Sequence, residues 1–421
     1  MASRVDIREA VESRREEGLD FLTQLLGIET ENPPGERYRE GAEFLREELS
    51  KRGYDVSLLE VPDPVVERYY PERTEHERVN VLARMGEVNS GTDIHFTGHF
   101  DVVPAGEDWS RDPYEPVIED DRLYARGASD MKSGIAASVL AVDALTELGV
   151  PIDGSITQSM TVDEETGGFT GVGELVREGY ISQENTDYCV YTECFDSSRV
   201  CLGHRGVLKF SVTVHGEEAH GCMAHDGHNA IMAANDFLTR IEEYEVTLHE
   251  RTTDEPVVPQ ESNRADISAT MIDAGYTENV IPDRCTMTFY RVLVPEETVD
   301  SARTEIEELM DATRTATGAT VEYDEIMFAE PAIVPQDCKL AQVYAEEIEP
   351  FHGPPEFVVS PGSDDQRFIV NDAGIEECIV YGPGLLEQAH VADEYVPIEE
   401  VVTAAKVMAT ATAEMMGALD E

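Results

Sequence analysis

The residues able to do chemistry fall where apolar runs end. His99 and Asp101 follow the alternating, strand-like run Asp93-Ile94-His95-Phe96-Thr97. Residues two apart on a strand share a face, so the Asp101 carboxylate can take the second ring N–H of His99. Metal-binding histidines are commonly oriented in that way; a buried His–Asp hydrogen bond is the plainer alternative. Asp130 stands just before a helix of small residues. There it can reach inward or, like Ser129, simply cap the helix. A further apolar strand ends in Asp163-Glu164-Glu165, three consecutive acids that repel one another unless a cation is near. Glu193 closes another strand, and His390 lies in a late polar stretch with Asp393 and Glu394.

Taken together, His99, Asp130, Glu165, Glu193 and His390 supply two imidazoles and three carboxylates and no thiolate. That donor set suits two zinc or similar ions. Two dications balance three carboxylates and one hydroxide, whereas a single dication would leave excess negative charge. Two metals about 3.5–4 Å apart can share a hydroxide nucleophile and polarise a carbonyl.

The surrounding elements must bring these positions together. Helical periodicity over 7–28 stops at Asn32-Pro33-Pro34-Gly35. A second helix is expected over 37–52, then a strand over 54–59. Residues 62–78 are polar and proline-containing and read as a surface excursion. Strands at 80–84 and 93–97, a helix over 135–148, and strands at 154–162 and 188–192 complete a first α/β segment. In such sheets ligands bind at the strand ends. From 206 the texture changes: strand 208–215, helix 229–243, strands 267–272 and 285–294, helix 296–315 and strand 320–327. That order describes a ferredoxin-like sandwich, whose sheet edge could pair across a dimer. The α/β texture resumes near 331 and ends in a helix over 398–419. The expected organisation is a catalytic domain at 1–205 and 329–421 interrupted by an inserted domain at 206–328.

With 421 residues and 41% hydrophobic content, the chain can build two globular cores. No apolar run approaches the roughly 20 residues of a membrane span, and a cytoplasmic location is expected. The net charge is −56, from 87 acidic against 31 basic residues. The acids are spread over the whole chain, which indicates adaptation to high salt, where the screening length falls to about 3 Å at 1 M. This charge argues against nucleic-acid binding. The seven cysteines contain no Cys-x-x-Cys pair, so reduced structural thiols are expected rather than a Cys-based zinc site.

The motifs His99-x-Asp101, Arg126-Gly127-x-x-Asp130-Met131-Lys132, Asp163-Glu164-Glu165-x-Gly167 and the late His390 occur together and in order. By them the chain resembles the acetylornithine deacetylase/succinyl-diaminopimelate desuccinylase family of metallohydrolases, relatives of aminoacylases and glutamate carboxypeptidases. The resemblance implies a mixed-sheet α/β catalytic domain of zinc-peptidase type with an inserted ferredoxin-like α+β lid and dimerisation domain. It implies two divalent ions, zinc first, with cobalt or manganese as alternatives. His99 and Glu193 would hold one, Glu165 and His390 the other, with Asp130 between them and Asp101 orienting His99. Glu164 would be the general base that activates a metal-bridging hydroxide. His220 of the lid, with Gly227 and Asn229 in register, would stabilise the oxyanion and reach a partner's site in a homodimer. His225 and His228 stand close enough in sequence to compete for that assignment. Asn279, Arg291, Gly362 and Ser363 would bind substrate, although a surface salt bridge is an alternative for Arg291.

The implied reaction is hydrolysis of the amide of an N-acyl amino acid, such as an acetylornithine or succinyl-diaminopimelate type of substrate. A dipeptidase, carboxypeptidase or aminoacylase would use the same centre. A metal-dependent binding protein without catalysis would have no need of Glu164. The chain departs from the family pattern at Gly221-Cys222-Met223-Ala224, where serines and a proline are usual, and at Cys194, where proline is usual.

Overall fold

In the computed structural model, which describes residues 2–420, strand Thr92–His99 is buried from its second residue onward. Its buried polar side chains find partners inside the fold: Ser155 Oγ donates to Asp93 Oδ1 at 2.7 Å, and His95 Nε2 lies 2.8 Å from Ser159 Oγ. It lies between two parallel neighbours, Gly154–Thr161 on one side and Tyr188–Tyr191 on the other. The chain therefore leaves Thr92–His99 for one flank and then crosses to the opposite flank. That reversal puts a crevice at the carboxyl ends of the three strands. The sheet continues as Val79–Gly86 and Asp55–Glu60 beyond Gly154–Thr161, both antiparallel, and as Cys378–Val380 beside Tyr188–Tyr191.

Small residues let helix Lys132–Glu147 press on this sheet. A side chain at Gly134 would meet the Thr192 carbonyl oxygen at 1.8 Å, so only glycine permits the approach. The Ala-rich helix Ile398–Met415 packs on the same helix. The helical run expected over 7–28 is two helices, Arg4–Ser13 and Arg15–Leu26, broken at Arg14 (φ −102°, ψ 8°). The 62–78 stretch is more than a surface excursion. It contains helix Asp63–Tyr69 and buries Val66, Tyr70 and Arg78.

A small antiparallel sheet of Val117–Glu119, Arg122–Tyr124 and Tyr395–Pro397 was not anticipated. By pairing 122–124 with 395–397 it brings the Arg126–Asp130 stretch beside Glu394.

The chain divides into two units, one of Met1–Gly203, Val334–Val358 and Asp364–Glu421, the other of His204–Ile333 and Val359–Ser363. The short return of 359–363 was not legible beforehand. It is held by the bridge between Val257 and Val359 and by Arg205, whose guanidinium donates to the Pro361 carbonyl at 2.9 Å.

The second unit is a four-stranded antiparallel sheet in the order Asp266–Ala274, Arg284–Leu293, Gly206–His215, Thr320–Ala329, with helices Ala230–Leu248 and Val299–Thr317. This is the ferredoxin-like order. Phe210, Phe237 and Phe289 meet in its core, Phe210 stacked on Phe289 at 5.2 Å. Among the described residues no helix is long and apolar enough to cross a membrane.

Candidate metal centre

The three parallel strands deliver their acids and His99 to one crevice. His99 is fully buried at the end of its strand. Its Nε2 stands 3.2 Å from Asp130 Oδ1 and 3.2 Å from Glu193 Oε2. His390, at φ 62°, brings its Nε2 to 2.9 Å from Asp130 Oδ2 and 3.0 Å from Glu165 Oε2. A left-handed backbone at a non-glycine residue is costly and gathers at functional sites. Asp130 thus presents one oxygen to each imidazole, with Glu193 beside the first and Glu165 beside the second.

The geometry around Asp101 differs from the strand-based expectation. His99 Nδ1 lies 2.9 Å from the backbone carbonyl of Asp101, and its carboxylate is farther, at 3.5 Å. The strand ends at His99, so the alternation that would align the two side chains no longer applies. The Asp101 carboxylate turns instead to the next loop. It accepts the Glu164 amide at 3.3 Å and the Glu165 amide at 3.2 Å.

That loop is anchored from below by Asp163, also fully buried and at φ 65°. Its carboxylate accepts from Tyr38 Oη at 2.9 Å and Arg78 Nε at 2.8 Å. Glu164 Oε2 then lies 3.9 Å from His99 Nε2. Behind the loop, the buried Asp365 carboxyl has no hydrogen-bond partner among the described residues; Arg367 Nη1 stands 3.9 Å from its Oδ1, and it lies against Gly168, where an added Cβ would meet Asp365 Oδ1 at 1.8 Å. Arg367 Nη2 donates to the Gly167 carbonyl at 2.6 Å.

Asp130 is positioned by Glu394, whose carboxylate accepts the amides of Gly127 (3.1 Å), Ser129 (2.8 Å) and Asp130 (3.0 Å), and Arg126 Nη1 at 2.7 Å. Sequence reading passed over Glu394, Asp365 and Asn32. For Glu394 the available signal was its place four residues after His390.

The charges fit a cationic occupant. Burial alone would lower the His99 pKa, but Asp101, Asp130 and Glu193 push it well above the ordinary imidazole range. Hydrogen bonds to Asp130 and Glu165 raise His390 to about 11. Burial and the charge of Asp130 raise Glu193 to about 7. Burial, with Asp365, Glu165 and Glu193, holds Glu164 well above the usual carboxylate range. Imidazoles drawn toward the protonated form and acids drawn toward neutrality mark a site short of positive charge. Two imidazoles and two further carboxylates gathered around Asp130 fit two divalent ions. The Cys194 thiol also comes within reach of Asp130 and Glu193. Burial and those acids raise its pKa well above the usual thiol range.

The remaining sequence-derived residues lie in the second unit. His220 is exposed in the short strand Ala219–His220, paired with Val280–Ile281, and the Gly221 amide donates to the Asn279 carbonyl at 2.7 Å. His220 and Asn279 are therefore neighbours. Its Nδ1 accepts from the Cys222 amide at 3.2 Å. Gly362 and Ser363 fall in the 359–363 return.

Arg291 requires a correction. It is fully buried and its Nη2 is held by Glu297 at 2.5 Å, with Tyr244 alongside. It shares the inward face of its strand with Cys285, Met287, Phe289 and Leu293. An inward position of that kind leaves no guanidinium facing solvent for a substrate carboxylate.

Comparison with known proteins agrees with this picture. The model of Peptidase family M20/M25/M40 matches residues 95–414. A succinyl-diaminopimelate desuccinylase of Thiobacillus denitrificans is 30% identical over 364 residues, covering 84% of this chain and 88% of its own. Among solved structures, the di-peptidase Dug1p of Saccharomyces cerevisiae superposes with a TM-score of 0.80 at 16% identity, over 100% of both chains. A dinuclear metal binding peptidase of the M20 family from Bacillus subtilis gives 0.68 at 14% identity, over 97% of this chain and 100% of its own.

Proposed function

The chain belongs to peptidase family M20/M25/M40 and is a metal-dependent amide hydrolase, and from that premise we propose that it cleaves N-acyl amino acids of the deacetylase or desuccinylase type. The acyl preference rests on the desuccinylase relatives that match most of its length. Two divalent ions, zinc before cobalt or manganese, would be held by His99, Asp130, Glu165, Glu193 and His390, and would supply Lewis-acid polarisation and an acidified water.

The observation that carries catalysis is Glu164. Asp130, Glu165 and Glu193 each face an imidazole within 3.2 Å, but Glu164 stands 3.9 Å from His99. It remains free to move a proton. Burial, the leading cause, raises its pKa, the direction that suits a group taking a proton from the attacking water and passing it to the leaving amine. Asp101 fixes the approach by binding the amides of Glu164 and Glu165 while its carbonyl orients His99. His220 would stabilise the oxyanion, Asn279 would bind the substrate carboxylate, and Gly362 and Ser363 would line the substrate pocket. A homodimer through the second unit would let a partner's histidine take part.

The test is hydrolysis across N-succinyl, N-acetyl and dipeptide amides in molar KCl, with metal-stripped and zinc- or cobalt-reloaded protein. Metal-dependent turnover concentrated on one acyl class supports the proposal. Turnover of dipeptides alone would replace it with a peptidase.

A further inference from the structure

Asn32 opens the proline pair that breaks the first helical region, and its side chain is fully buried. The segment containing it runs beside the stretch that follows His99: the Asn32 amide donates to the Val102 carbonyl at 2.8 Å, and Glu31 bridges Val102. Its Nδ2 donates to Asp101 Oδ2 at 2.9 Å and to Thr166 Oγ1 at 3.1 Å. Its Oδ1 accepts from Arg73 Nη1 at 3.3 Å. Arg73 therefore fixes which way the amide faces, since an arginine can only donate. The nitrogen is left to meet Asp101.

We infer that Asn32 is a positioning residue that clamps the His99–Asp101 strand end to the Glu164–Thr166 loop. Asp101 has to serve both sides: its carbonyl meets the His99 ring and its carboxylate meets the amides of Glu164 and Glu165. The Asn32 amide holds that carboxylate from the third direction and holds Thr166, next to Glu165. Few side chains meet this demand. Aspartate would set a second carboxylate 2.9 Å from the first, and alanine would leave Asp101 Oδ2 with the Glu165 amide alone. Loss of such supporting contacts at metal centres costs about 10–100-fold in metal affinity or activity. The effect on turnover rests on the hydrolase reading above, whereas the effects on loop order and metal affinity do not.

Asn32→Ala and Asn32→Asp test this together. Asn32→Asp keeps the shape and the acceptor for Arg73 but removes the donor to Asp101. Three quantities are read: amide hydrogen exchange of 163–166 in metal-free protein, zinc affinity by chelator competition, and kcat with KM on the best amide substrate. Both variants are expected to exchange faster at 163–166, with exchange across 204–333 unchanged. Both should lose about 10–100-fold in zinc affinity or kcat while KM stays within about twofold. Wild-type behaviour of Asn32→Asp in all three would overturn the inference, since packing alone would then account for the residue. If Asn32→Ala fails to fold, Asn32→Asp carries the same decision. A wild-type protein that binds zinc but cleaves no amide would remove the function reading, and exchange and affinity would still decide the role of Asn32.

Discussion

Glu394 offers the sharpest test of how the centre is assembled. Its carboxylate is fully buried, accepts three amides of one loop and pairs with Arg126, itself only 2% exposed. Glu394→Ala strips the three amides of this acceptor and leaves the buried Arg126 guanidinium without its counter-charge, with only the Val391 and Ala105 carbonyls to accept from it. Removing one partner of a buried pair costs about 3–5 kcal/mol. Glu394→Gln keeps the shape but turns one accepting oxygen into an NH2 that faces two donors, leaving buried N–H groups unsatisfied at about 1–3 kcal/mol. The single tryptophan, Trp109, lies 5.1 Å from the Arg126 guanidinium carbon, so denaturant unfolding followed by its fluorescence reads this region directly. The double variant Arg126→Ala/Glu394→Ala separates the two roles. If the amides of Gly127, Ser129 and Asp130 matter, it should remain nearly as destabilised as Glu394→Ala. A loss below about 1 kcal/mol for Glu394→Ala would refute the reasoning. Full recovery in the double variant would show that only the ion pair counted.

Two further outcomes follow from buried groups. Gly168→Ala should cost about 1–3 kcal/mol, because φ is +63° and the added methyl would strike Asp365; combining it with Asp365→Ala should recover part of that in denaturant unfolding, and an unchanged midpoint for Gly168→Ala would contradict the packing. His95, buried against Ser159, has its pKa lowered by burial from 6.5 to about 3. The unfolded chain binds its proton first, so stability is full above pH 6.5 and is lost as pH falls toward 3, at about 1.4 kcal/mol per pH unit for this one group. His95→Gln, compared with wild type by urea unfolding across that window, should lack that component; parallel slopes would contradict it.

The candidate metal-site residues were legible because their types are rare in apolar surroundings, and because His99 ends a strand while Glu165 and Glu193 closely follow two others. Strand ends of a parallel sheet converge whatever the intervening loops do. The supporting residues were not legible, because their partners are distant in sequence and often backbone. Asn32 meets Asp101 across 69 positions and Glu394 meets the Asp130 amide across 264, and an amide carries no residue-type signal. Arg291 was legible in hindsight: at alternate positions, 285, 287, 289 and 293 are all apolar, which places 291 inside. The His99–Asp101 pairing is looser than the strand period suggests, with the carboxylate at 3.5 Å and the carbonyl at 2.9 Å from Nδ1, as the two-residue period holds only while the strand lasts. In the 62–78 stretch, charge and prolines concealed the inward side chains of Tyr70 and Arg78, which find their partners only in the fold.

The most direct measurement compares wild type with Glu164→Gln for bound metal and for turnover of the preferred amide. The account predicts two divalent ions per chain in both proteins, with metal-dependent hydrolysis in wild type falling by about 10²–10⁴-fold in the variant. Undiminished hydrolysis by Glu164→Gln, with both ions bound, would contradict it.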